Sequence, residues 1–400
     1  MSTKPLAGLT VLEFSHTIMG PCAGLLFADL GADVIKVEPA PSGDHTRRLP
    51  GFAAGFFAGF NRNKRSIALD LKHRSGQAAM HRLVKRADVL LENYAPGTME
   101  RLRCGYAELS ELNPRLIYLA LKGFLAGPYE HRPALDEVVQ FQSGLAFMTG
   151  PPGQPLRAGA SVIDILGAVF GVTAVLAALR ERDATGRGQR ISSSLFESAA
   201  FLMVTHMAGA AATGLEPRPM PDRRGAWAIY DVFNTSDEQL FIGVTSDQQW
   251  VRFTEAFGLT ALAANPELAT NAERAKHRSW LIPAVQEALA DLPKAVVAER
   301  CEGASVSWAP VGKPTDLFTD PHLKSHGGLI DVAIRNAEGV MAMAGLPGLP
   351  VEFGADRERP SLVRQPPQLG EHSRDVLSEA GFERSEIDRL IGDKVVVAGA

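Results

Sequence analysis

Residues 9–38, LTVLEFSHTIMGPCAGLLFADLGADVIKVE, decide the fold class. Leu9 to Phe14 is a short apolar and β-branched run, the composition of a buried strand. Gly20-Pro21 opens a helix of small and apolar residues, and Gly31 closes it. Val34 to Glu38 is the next strand, after which Pro39, Pro41 and Gly43 break the chain. The pattern repeats outward. Ser66–Leu71, Val89–Glu92 and Leu116–Leu121 read as strands, Ser75–Arg86 as a helix and Met99–Leu102 as a short one. Strands alternating with helices predict an α/β domain with a parallel sheet covered on both faces. Glu38 stands where a dinucleotide-binding unit carries its ribose acid, but the turn SHTIMGPCAG lacks G-x-G-x-x-G, so NAD or FAD is not expected.

A second stretch, Arg157–Gln189 (RAGASVIDILGAVFGVTAVLAALRERDATGRGQ), holds one acid, Asp164, ahead of fifteen residues without a charge. The run Ile165–Leu179 predicts a buried core helix, because it falls short of the roughly 20 residues a membrane span needs. An acid at a helix start either caps backbone N–H groups or is a working carboxylate near the positive helix end. Gly167 stands where a capping box would carry Glu or Gln. Gln189–Ser193 reads as a strand and Leu195–Gly209 as another apolar helix, with His206 a core residue. The composition then turns to Pro and Arg between Glu216 and Arg224, a linker.

A second region begins near Ala226. It holds a hairpin (Ala228–Asn234, Gln239–Val244), helices at Gln248–Phe257, Ser279–Ala290 and Leu292–Cys301, and a strand at Val306–Val311. Strands near 329–334 and 340–344 precede a tail, Pro366–Lys394, with two short amphipathic helices, where His372 is a candidate cap for the last. The expected division is 1–215 for the first part of a large domain, 216–225 for the linker, 226–325 for a small α+β domain, and 326–400 for the return to the large one.

At 400 residues two domains are the expectation. The composition, 46% hydrophobic and 22% charged, is that of a globular protein. A net charge of −4 without a basic stripe argues against nucleic acid. Cys22, Cys104 and Cys301 lie too far apart for a disulfide framework or a metal motif, and His322, His326 and Cys301 form no zinc set, so no metal is expected. The N-terminus carries no signal or transit character. A reducing, cytoplasmic setting without a membrane follows as the expectation. Two basic loops, Ser42–Arg48 (SGDHTRR) and Asn61–Arg65 (NRNKR), read as solvated turns or, together, as a cradle for the phosphates of a nucleotide-containing ligand.

These residues resemble the class III CoA-transferases, the family of formyl-CoA transferase, carnitine CoA-transferase and α-methylacyl-CoA racemase. The resemblance runs in family order through residues 6–47, NRNKRSIALDLK, ADVLLENYAPGTMERL, LNPRLIYL, SGLAFMTG, ALRERDATGRGQRI, VSWAPVGKPTDLFTDPHLK and PPQLGEHSRDVLSEAGF. It implies a Rossmann-like large domain built from the N-terminal half and the tail, a smaller domain between them, and an interlocked homodimer. It implies CoA thioesters as substrates and no permanently bound cofactor.

It further implies that Asp164 is a nucleophile and that Asp136 is a second active-site carboxylate. A helix start at Asp164 is expected to keep it ionised. CoA is expected against His16, Lys36, Arg47, Leu71, Lys72, Asn93, Tyr94, Arg101 and Lys122. Leu135 stands where the racemases carry an acid/base histidine, which argues against two-base proton exchange. Ile18 replaces the glutamine of formyl-CoA transferase, and DRRGAWAIY replaces its glycine-rich loop, so formyl and oxalate substrates are not expected. The expected reaction moves CoA from an acyl-CoA, succinyl-CoA first, to a small acid such as itaconate, mesaconate, malate or a methylglutarate. Arg47, Arg132 and Arg157 are candidates for a second carboxylate. The alternatives are an acyl-CoA racemase or epimerase, and a non-catalytic CoA-binding partner protein.

Overall fold

The structure, a computed structural model, describes residues 4–222, 227–335 and 339–399. The chain forms two compact units, Met1–Pro221 with Asp320–Ala400, and Asp222–Thr319. The limits at 222 and 319 differ from the expected 226 and 325. Asp320 caps a short helix, Pro321–Lys324, that belongs to the first unit. Residues 223–225 of the expected linker and 223–226 of DRRGAWAIY lie outside the described residues.

The first unit is built on β1 (Thr10–Phe14), α1 (Met19–Asp29), β2 (Asp33–Pro39), β3 (Arg65–Leu69), α2 (Arg74–Val84), β4 (Val89–Glu92), β5 (Ile117–Lys122), α3 (Asp136–Gln142), α4 (Val162–Thr185), β6 (Arg190–Ser194), α5 (Leu195–Leu202) and α6 (Val204–Thr213). Six parallel strands run β3-β2-β1-β4-β5-β6, the order of doubly wound nucleotide-binding sheets. A seventh strand, Val396–Val397, adds antiparallel to β3. Parallel strands covered on both faces are apolar throughout. Leu12 and Phe14 of β1 accordingly face α2 and the tail helices, while Val11 faces α1 and α4.

The small residues of α4 serve close packing. A Cβ on Gly171 would lie 2.9 Å from Leu121 Cδ2, so a larger residue there would have to push the Leu121 side chain aside. Two expectations about this helix are corrected. It runs for 24 residues, because the charged cluster Arg180–Asp183 continues it. Arg182 is buried there and pairs with Asp88 at 3.0 Å. Nor is it buried all round, since Ile165, Val169 and Leu176 are 38–40% exposed on its outer side. Its length now reaches that of a membrane span, but its inner face is committed to α1 and the sheet.

The expected helix Leu195–Gly209 is two helices, bent by 52° where Met203 leaves helical geometry. α6 buries no residue, so His206 is half-buried rather than a core histidine. His372 does not cap a helix by its side chain. Its Nδ1 accepts the Ser66 N–H at 3.3 Å, which holds the tail against β3.

The loop Asn61–Arg65 is neither a solvated turn nor a phosphate cradle. Arg62 pairs with Asp29 at 2.7 Å, and Arg65 with Glu379 at 2.9 Å and with Asp33. Lys64, wholly buried, lies 2.7 Å from Glu13 Oε2. Glu13 in turn meets Lys36 at 3.1 Å, and Lys36 meets Asp44 at 3.1 Å. Two anions and two cations thus balance beneath the carboxyl end of β1, which is what makes their burial tolerable. Burial opposes the charge on Lys36, but Glu13 and Asp44 outweigh it and hold its pKa above the ordinary lysine range.

The second unit is a three-stranded antiparallel sheet (Ile229–Asn234, Gln239–Val244, Ser307–Pro310) packed by helices Asp247–Ala256, Arg278–Ala290 and Lys294–Gly303. Phe233, Ile242, Phe253, Leu281 and Val285 are central to its own core.

Gly24 is the sharpest test of the buried charges, because a Cβ there would lie 1.7 Å from Glu13 Oε2. Gly24→Ala is expected to cost about 2–4 kcal/mol in urea unfolding, by displacing Glu13 from Lys64. An unchanged midpoint would count against the network.

Candidate active site

The strand order reverses between β1 and β4, and ligands in such sheets bind outside the carboxyl ends at that point. A cavity of about 200 Å³ lies there. His16, Ile18 and Met19 line it after β1, Asn93 after β4, and Lys122 and Gly123 from the end of β5. Leu135, Asp136, Glu137, Arg157, Ser161 and Asp164 close it from α3 and the start of α4. Drug-sized ligands occupy roughly 300–1,000 Å³, so this space fits only the reacting end of a larger molecule.

α3 and α4 meet through Asp136. Its Oδ2 accepts the N–H of Ile163 at 2.8 Å and of Asp164 at 3.0 Å. Its Oδ1 accepts from Gln140 Nε2, four residues on along the same helix face. Gln140 Oε1 then accepts the Ala158 N–H at 2.8 Å, fixing the loop that leads into α4. Ser161 occupies the cap position but makes no side-chain cap bond, so the cap of α4 comes from α3.

This corrects the expectation for Asp164. It sits in the first turn of α4, and the nearby N–H groups serve Asp136 instead. Among the described residues no hydrogen bond or ion pair reaches its carboxylate. Burial first, then the Asp136 and Glu137 carboxylates, push its pKa up to about 7. At neutral pH Asp164 is therefore divided between acid and carboxylate, rather than held ionised.

Of the residues expected to meet CoA, His16, Asn93 and Lys122 line the cavity. Asn93 clamps the first turn reciprocally, accepting the His16 N–H at 3.0 Å and donating to the His16 carbonyl at 2.9 Å. The His16 ring stacks on Tyr94 at 5.5 Å, and burial keeps its pKa below the usual histidine value. Lys122 spends its donors on Glu92 and the Tyr94 carbonyl, each at 2.8 Å. Lys72 and Arg101 are exposed, and Leu71 is buried in the core. Lys36 is fully buried in the ion network, where it supports the turn from beneath. Arg47 forks onto Glu38 at 2.7 and 2.8 Å and is likewise committed. Arg132 lies over the Tyr129 ring at 4.1 Å. Of the three arginines proposed for a second carboxylate, Arg157 lines the cavity.

Sequence reasoning missed Glu137 and Gln140. The i, i+4 spacing of Asp136 and Gln140 was the available signal, but it had meaning only if a helix began at Asp136. It also missed Phe52 and Phe56, an edge-to-face pair at the cavity wall.

The sequence pattern of CoA-transferase family III matches residues 6–373. A succinate–glutarate CoA-transferase of Agrobacterium fabrum is 33% identical over 390 residues, covering 94% of this chain and 95% of that protein. A succinyl-CoA:mesaconate CoA-transferase of Haloarcula hispanica is 33% identical over 392 residues, covering 94% and 96%. The crystal structure of a CaiB/BaiF family protein from Brucella suis superposes with a TM-score of 0.83 at 30% identity, covering 95% of this chain and all of that one.

The environment of Asp164 predicts its own titration signature. Its pKa is higher folded than unfolded, so the folded state gives up stability as pH rises between about 4 and 7. Asp164→Asn removes that loss. Its melting temperature is expected to pull ahead of the parent's across this window and to keep a constant lead above it. A gap independent of pH between 4 and 8 would contradict the assigned environment.

Proposed function

This chain belongs to CoA-transferase family III and is an enzyme that transfers CoA, and from that premise we propose that it moves CoA from succinyl-CoA to a small dicarboxylic acid through covalent intermediates on Asp164. The carrying observation is an unpartnered carboxylate at the cavity wall with a pKa of about 7. Such a group is more basic, hence more nucleophilic, than an ordinary aspartate, yet is substantially ionised at neutral pH.

The carboxylate of Asp164 attacks the thioester carbonyl. The C–S bond breaks, CoA thiolate leaves, and a mixed anhydride remains. The thiolate attacks the aspartyl carbonyl, releasing the donor acid and forming an aspartyl-CoA thioester. The acceptor carboxylate attacks this thioester and expels the thiolate, which then takes the acceptor acyl group from the second anhydride and frees Asp164. Each step exchanges one activated acyl bond for another, so the thioester energy is conserved. The tetrahedral oxyanions need donors. α1 opens onto the cavity at Ile18 and Met19 without a side-chain cap, so its first N–H groups are the candidates.

The acceptor class is supported by the Agrobacterium and Haloarcula relatives, whose names carry glutarate and mesaconate. Leu135 at the cavity supports transfer over racemisation, since it has no acid/base group to give or take a proton. CoA itself lies, in this reading, along the sheet edge by His16, Lys72, Asn93, Tyr94 and Arg101. We also propose a homodimer. Ile165, Val169, Phe201, Val204 and Met207 leave an apolar surface on α4 to α6 that a second copy would cover.

With succinyl-CoA and glutarate, Asp164→Ala is expected to lower transfer by at least about 10⁴-fold while CoA binding persists. The parent should yield a hydroxylamine-sensitive CoA adduct on Asp164, and its acylation rate should climb as pH rises through about 7 and level off above. Transfer retained in Asp164→Ala would sink the mechanism. Sedimentation should give twice the 42.9 kDa chain mass, and a monomer at micromolar concentration would refute the dimer.

A further inference from the structure

Glu137 and Arg157 form an ion pair at the cavity that holds Asp164. The geometry points to Arg157 as the receptor for the distal carboxylate of a dicarboxylic substrate, with Glu137 as the stand-in that occupies it when substrate is absent. This rests on the reading of Asp164 as the acyl-carrying residue.

Three side chains that can carry a positive charge line the cavity: His16, Lys122 and Arg157. Lys122 is saturated by Glu92 and the Tyr94 carbonyl. Burial disfavours the charged form of His16, whose Nδ1 meets Thr17 Oγ1 at 2.8 Å. Arg157 alone among these three has an exchangeable partner. Glu137 is 45% exposed and Arg157 34%, and ion pairs that open to solvent are held weakly. A guanidinium fork fits one carboxylate as well as another, so a substrate carboxylate can take the place of Glu137 without redesign of the site.

The backbone around the pair is fixed while the pair itself is not. Gln140 holds the Ala158 N–H next to Arg157, and Asp136 holds the start of α4 next to Glu137. Arg157 is thereby presented at a set place relative to Asp164. A substrate with a carboxylate at each end engages both, one reacting and one anchored. A monocarboxylate leaves Arg157 with Glu137 and gains nothing from it. Glu137 also contributes to the raised pKa of Asp164, so its neutralisation alters reactivity toward every acid alike. Selectivity between acids isolates the anchoring role from that shared effect.

The test is CoA exchange by the full chain, between glutaryl-CoA and labelled glutarate and, separately, between valeryl-CoA and labelled valerate. The two acids differ by a distal carboxylate against a methyl group. In Arg157→Gln the ratio of kcat/KM for glutarate over valerate is expected to fall about 100-fold. Arg157→Lys should recover part of it, because an ammonium keeps the charge without the fork. Glu137→Gln removes the internal competitor and should lower KM several-fold for glutarate and not for valerate. Loss of both exchanges in parallel in Arg157→Gln, or an unchanged ratio, overturns the assignment while leaving the transferase reading intact. If Arg157→Gln does not fold, Glu137→Gln decides by the same ratio of KM values, and no glutarate-specific change overturns the assignment. Exchange of neither acid by the parent overturns the dicarboxylate-acceptor reading and this inference with it.

Discussion

Asp136 Oδ2 accepts the N–H groups of Ile163 and Asp164, and so takes the place at the start of α4 that Asp164 would otherwise use. Two features of the site follow from that exchange. The helix end is satisfied by a carboxylate from α3, which locks the two helices together. The same carboxylate sits beside Asp164 as a like charge and denies it the nearest donors. A residue that caps one helix thereby raises the basicity of another residue in that helix.

Below the site, charge is balanced rather than exposed. Glu13 on the central strand meets two buried lysines, and Asp44 completes the set. Buried ion pairs contribute little net stability, but losing one member is costly, because the remaining charge has no water. Ser15 joins the network through its hydroxyl to Glu13 at 2.6 Å and its carbonyl to Lys36 at 2.9 Å. The turn that presents His16 is therefore held from beneath by electrostatics and from the side by Asn93.

Much of the sheet was legible because parallel strands must be apolar on both faces. Val89–Glu92 is found at its expected limits, and the other parallel strands lie within one or two residues of theirs. What escaped is short or depends on distant partners. Asp136–Gln142 has seven residues, too few for a helical period to declare itself, and Val396–Val397 is a strand only because β3 lies beside it. Asn61–Arg65 reads as a solvated loop by composition. The warning lay elsewhere, in Glu13, an acid in the middle of TVLEF that demanded a buried cation. Asp164 was visible as an acid at a helix head, but its protonation depends on burial in the folded site and on Asp136 and Glu137, which lie on another helix.

The tail's place in the sheet bears on synthesis. Val376, Leu377, Ile387, Leu390 and Val396 fill the core beside Ile67 and Leu69, yet leave the ribosome long after them. Translation at about 5–20 residues per second puts the interval between β3 and its closing strand on the order of tens of seconds. Meanwhile Asp222–Thr319 has its whole core within one continuous segment. The inserted unit can thus complete itself on the nascent chain while the first unit waits with one sheet face only partly covered, an interval in which chaperones would find their substrate.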